Sequence, residues 1–85
     1  MVKSAQFTKM LSDGTEAILS RGSIENKIPE EFCYNVTVSL KERMYNLRMK
    51  KNEHGYWGID DRVHLPQWVR DLEPELVRAV KQNEA

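Results

Sequence analysis

The two histidines, the single cysteine and the adjacent pair Asp60-Asp61 are the side chains best suited to catalysis or metal binding. His54 falls in the turn-like run Asn52-Glu53-His54-Gly55, and His64 in a loop-like run near the last third of the chain. Either imidazole has the basicity of a general base near neutral pH. Neither sits in a motif that would use it. The chain has no G-x-S-x-G, no phosphate-binding loop, no G-x-G-x-x-G and no H-E-x-x-H. Asp60 and Asp61 point to opposite faces of an extended strand, which suits neither an acid–base pair nor a single metal ion. One cysteine closes no internal disulfide, and one cysteine with two separated histidines gives no zinc spacing. Cys33 therefore reads as a small buried or half-buried apolar residue. The sequence predicts no enzyme, no metal and no cofactor.

Electrostatics supplies the one constellation that stands out. Overall charge is balanced, with 13 Lys+Arg against 13 Asp+Glu, so no global field favours nucleic acid or a membrane. Locally, residues 41–51 hold Lys41, Arg43, Arg48, Lys50 and Lys51 against Glu42 alone. The flanking strand-like run adds Asn35 and Thr37, the basic run itself holds Asn46, and Tyr56 follows it. Cation, amide, hydroxyl and ring on one surface are what a platform for single-stranded nucleic acid uses, with cations on phosphate and the ring under a base. The plainer reading is a solvated strand face whose charges discourage edge-to-edge association.

Those side chains need elements to hold them. From Phe32 to Leu40 the alternation is strict: Phe32, Tyr34, Val36, Val38 and Leu40 share one face, Cys33, Asn35, Thr37 and Ser39 the other. Tyr45, Leu47 and Met49 alternate in the same way with Asn46, Arg48 and Lys50. Pairing Leu40 with Tyr45 sets Val38 opposite Leu47, Val36 opposite Met49, Thr37 opposite Arg48 and Asn35 opposite Lys50. Residues 41–44 then make the turn, reduced to two residues if Lys41 and Met44 also pair. Gly55 marks a second turn, and a third strand runs from Tyr56 to about Asp60, with Trp57 and Ile59 on the apolar face. On the opposite, polar face lie Asn35, Thr37, Asn46, Arg48, Lys50 and Tyr56.

An apolar sheet face needs a cover. Trp68, Val69, Leu72, Leu76, Ala79 and Val80 recur at helical spacing. Pro74 breaks the run and suits the first turn of a main helix reaching about Gln82, after a short turn from Pro66 to Leu72. Residues 4–21 support two readings. Ser12-Asp13-Gly14 suits a hairpin loop that brings Phe7 opposite Leu19. Phe7, Met10, Leu11, Gly14, Ala17 and Ile18 also fit helical spacing, with Asp13-Gly14 as an unfavourable centre. Residues 22–31 form a loop in both.

The expected fold is a single α+β domain over residues 1–85, an antiparallel sheet of three to five strands packed against a C-terminal helix. Its layout resembles that of the single-strand-binding transcriptional coactivators; no motif carries the likeness, and no residue role comes from it. The polar start Met1-Val2-Lys3-Ser4 has no apolar signal run, and cysteine usage fits a reducing compartment, so a cytoplasmic setting without membrane contact is expected. By elimination, the expected function is a small non-catalytic binding module, of adaptor or inhibitor type, acting through a protein partner. The runner-up is a single-stranded nucleic-acid binder using Asn35, Thr37, Lys41, Arg43, Asn46, Arg48, Lys50, Lys51 and Tyr56.

Overall fold

The computed structural model describes every residue except Met1, Lys27 and Pro29. Five strands form one antiparallel sheet in the order of the chain: β1 Gln6–Met10, β2 Glu16–Ile24, β3 Glu31–Leu40, β4 Arg43–Lys51 and β5 Trp57–Asp60. A 3-10 turn, Arg62–His64, leads to a short helix, α1 Gln67–Arg70, and then to α2 Glu73–Glu84. No helix is long and apolar enough to cross a membrane among the described residues.

The N-terminal segment is the hairpin, with Phe7 opposite Leu19. Gly14 has φ 90°, a conformation that favours glycine, and it lets Leu11 and Thr15 close the loop with a 2.8 Å backbone bond. The helical alternative fails because it needs Met10 and Leu11 on one surface. In the hairpin Leu11 is buried while Met10 points away from the helices, 60% exposed. Strand β2 also extends further than expected, to Ile24, because β3 continues to pair with it as far as Glu31.

The β3–β4 register differs from expectation by two residues. Val38 faces Tyr45, Val36 faces Leu47, Tyr34 faces Met49, Thr37 faces Asn46 and Asn35 faces Arg48. A two-residue shift leaves every side chain on its expected face, so alternation alone does not distinguish the registers. The turn does. Leu40 pairs with Arg43, and Lys41 takes φ 56° at the first central position of a two-residue hairpin loop. The shift also aligns two apolar rows under the helices. One runs Phe7, Leu19, Val36, Leu47 and the other Tyr34, Met49, Ile59.

The C-terminal helices cover these rows. Val69, Leu72, Leu76, Ala79 and Val80 join Ala17, Leu19, Tyr34, Val36, Val38, Leu47, Met49, Trp57 and Ile59 in one core. Pro74 stands in the first turn of α2, where its missing N–H costs no helical bond. Trp68 is half-buried and packs edge-to-face on Tyr45 with ring centroids 5.8 Å apart. Cys33 is buried on the other side of the sheet, and its thiol is free.

Candidate functional site

The helices cover one side of the sheet, and among the described residues no helix or strand covers the other. Alternation assigns the uncovered side its residues in rows across the strands. Met10, Glu16, Ser39 and Met44 form the first, and Thr8, Ile18, Thr37 and Asn46 the next. Gln6, Ser20, Asn35, Arg48 and Asp60 follow, then Gly22, Cys33, Lys50 and Gly58. Amides, hydroxyls and thioethers dominate. Thr37 Oγ1 donates to Asn46 Oδ1 at 2.8 Å, fixing one amide and leaving its NH₂ toward solvent. Met10 and Met44 are 60% and 67% exposed.

Five of the nine candidate residues meet on this side: Asn35, Thr37, Asn46, Arg48 and Lys50. Arg43 and Lys51 are separated from them by the same alternation, and Lys41 by the turn. Arg43 and Lys51 occupy helix-side positions of β4, and the Lys51 ammonium lies 5.7 Å from the centre of the Trp57 ring. Lys41 is in the β3–β4 turn. Tyr56, exposed just ahead of β5, shares the parity of Gly58 and Asp60 and lines the surface beside them and Lys50, at the border of this side. The +4 segment is therefore split between two sides and an edge.

Charge on the uncovered side is close to balanced. Its strand positions carry Arg48 and Lys50 against Glu16, Glu31 and Asp60, and Lys50 lies 3.7 Å from the Asp60 carboxylate. Arg48, exposed opposite Asn35, makes no ion pair among the described residues.

Beside Arg48 the surface dips into an open groove of about 470 Å³. Asn35, Thr37, Asn46 and Arg48 line one wall, and Asp61, His64 and Leu65 the other. The groove exists because β5 ends at Asp60. Asp61 takes φ 56° and turns the chain out of the sheet into the 3-10 turn. His64 lies 3.4 Å from Asp61, and both are largely exposed. No group of three or more metal-ligating side chains is gathered among the described residues.

Sequence reasoning missed a polar cluster at the other end of the sheet. Arg21 on β2 meets Glu84 of α2 at 2.7 Å, and the Tyr34 hydroxyl donates to the same carboxylate. Asn83 Nδ2 donates to Tyr34 Oη at 2.7 Å and to the Ser4 carbonyl at 2.8 Å. Burial pushes the Tyr34 phenol up. Burial also acts to raise the Glu84 carboxyl, but the bonds from Arg21 and Tyr34 outweigh it and hold the group below its ordinary value. The only hint in the sequence was a tyrosine inside an apolar strand face, whose hydroxyl needs a partner when buried. The cluster ties the N-terminal segment, β2, β3 and the helix end together.

No protein-family model, no curated protein and no solved structure matches the chain.

Proposed function

We propose that this chain is a small non-catalytic binding module, of adaptor or inhibitor type, that engages a protein partner through the uncovered side of its sheet. The observation that carries this reading is the make-up of that side. Exposed methionines, amides and hydroxyls surround a nearly balanced set of charges. Methionine adapts its shape to apolar partner surfaces, and amides and hydroxyls accept or donate as a polypeptide requires. A phosphate chain needs several cations along its track. Lys50 is already engaged by Asp60, which leaves Arg48 as the unpaired strand cation on that side among the described residues.

Site-specific photocrosslinking tests the reading. A benzoylphenylalanine at Thr37 samples the uncovered side, and one at the exposed Gln82 samples α2. Protease-sensitive adducts from position 37 and none from position 82 support a protein partner. The double variant Arg48→Glu, Lys50→Glu should weaken that adduct at least about tenfold, as loss of roughly 1.4 kcal/mol of binding does. Nuclease-sensitive adducts, with oligonucleotide affinity falling linearly in log salt, would move the reading to single-stranded nucleic acid.

A further inference from the structure

We infer that the free edge of β4, from Arg43 to Leu47, takes an extended acidic segment of a protein partner as a sixth strand. The inference rests on the protein-partner reading above and specifies where and how the partner docks.

Strand β5 pairs with β4 only from Arg48 to Lys51. Among the described residues, 43–47 have β3 on one side and no strand on the other, an edge of about 17 Å at 3.4 Å per residue. Two bonds show which backbone groups face outward. Ile59, opposite Met49, sends its N–H away from β4 to the Glu73 carboxylate at 2.8 Å. One step beyond the ladder, Asn52 donates to the Tyr56 carbonyl at 2.8 Å. The even-numbered residues of β4 therefore hydrogen-bond on the β5 side, since such pairs alternate in an antiparallel ladder. Met44 and Asn46 aim N–H and C=O past the end of β5, where no strand of the described residues reaches them. These four groups are the template that an added strand needs.

The flanks select the occupant. On the helix side an incoming strand meets the Tyr45–Trp68 ring pair and half-buried Leu65 at the groove wall. On the uncovered side it meets Asn46 and Arg48. Exposed cations follow the whole stretch, Arg48 on the uncovered flank, Arg43 on the helix flank and Lys41 in the turn, with Glu42 the one acid among them. Of the groove's own acids, Asp60 is engaged by Lys50, and Asp61 lies beside the His64 imidazole at the far side from β4 residues 43–47. A segment alternating apolar and acidic side chains satisfies both flanks. A second copy of this chain would set the same cations against each other, so self-pairing along this edge is disfavoured.

The test uses the full chain and three dye-labelled octapeptides. The first alternates valine and glutamate, the second alternates valine and lysine, and the third is the first with alternate backbone nitrogens methylated. The valine–glutamate peptide should bind, with the largest amide shifts at Met44 and Asn46. The lysine and N-methylated peptides should bind at least about tenfold more weakly, and so should the first peptide to Arg43→Glu, Arg48→Glu protein. Equal binding of the methylated peptide would overturn strand addition, and equal binding of the lysine peptide would overturn the acidic preference. No binding of the first peptide, or a concentration-dependent dimer whose contact maps to β4, would overturn the inference as a whole. Protein adducts from Thr37 that persist in any of these cases leave the partner reading standing, and their absence removes it.

Discussion

Ile59 donates its backbone N–H to the Glu73 carboxylate at 2.8 Å, and the second oxygen of that carboxylate holds Arg62 at 2.8 Å. One side chain at the start of α2 thus closes the outer edge of β5, fastens the 3-10 turn and fixes the helix against the sheet. Among the described residues, the neighbouring edge of β4 has no such cover. The contrast places the open template within a few residues of the closed one.

Glu73→Ala should therefore destabilise the fold by about 1–3 kcal/mol, since it leaves the buried Ile59 without its N–H acceptor and frees Arg62. Denaturant titration measures the loss. Hydrogen exchange at the Ile59 amide should accelerate by more than the global change in stability accounts for.

Stability should fall with acid through the Glu84 cluster. The Glu84 carboxyl lies below its ordinary value in the folded state, so its contribution is fully present above the unfolded carboxylate range. That contribution is lost as pH drops through the lower folded value. Tyr34 has the opposite sign: its raised phenol contributes below the ordinary tyrosine range, at about 10, and the contribution is lost as pH rises through the folded value. Urea midpoints for wild type and Glu84→Gln should converge in acid and separate near neutral pH, with wild type the more stable.

Val38 is fully buried between Ala17 and Tyr45 in its row. Val38→Ala should cost roughly 1.5–3 kcal/mol through lost burial and the cavity left behind. An unchanged denaturation midpoint would contradict the packing of β3 beneath the helices.

Cys33 should behave as packing and not as a nucleophile. It is buried between Gly22 and Lys50, so alkylation of the native protein should be slow and should accelerate in urea to the rate of a free thiol. Cys33→Ser should leave partner adducts from Thr37 unchanged. Fast native labelling together with lost adducts would assign the thiol a functional role.

Arg48→Glu, Lys50→Glu should leave the fold nearly intact, at about 0.5 kcal/mol per site, because Arg48 is exposed and the Lys50–Asp60 pair is solvent-accessible on both sides. Circular dichroism and a thermal melt check this. A large loss of stability would remove the variant as a probe of binding.

Which side chains share a side of each strand is legible from alternation alone. The alternation in 32–40 and 45–49 assigned Val36, Val38, Leu47 and Met49 to the core, and the 3–4 spacing after Pro66 assigned Val69, Leu72, Leu76 and Val80 to the cover. Pro74 marked a helix start through local backbone preference, whereas Gly14 suited a hairpin turn and a helical spacing alike until the β1–β2 pairing chose the turn. Alternation, helical spacing and the proline preference are short-range properties, carried by neighbours a few residues apart. The β3–β4 register was not among them, because a shift of two preserves the side of every residue and only the left-handed Lys41 in the closed hairpin selects between the alternatives. Tertiary structure also decided part of the fate of the basic run. Alternation already placed Arg43 and Lys51 on the side of Leu47 and Met49; the assembled sheet engaged Lys50 with Asp60 and left Arg48 at an open groove. The Arg21–Glu84 and Tyr34–Asn83 bonds join residues 63 and 49 positions apart, a separation at which no local pattern carries information. The free β4 edge arises in the same way: Asp61 ends β5 four residues after it begins, and only the assembled sheet shows which backbone groups that early exit leaves without a neighbour.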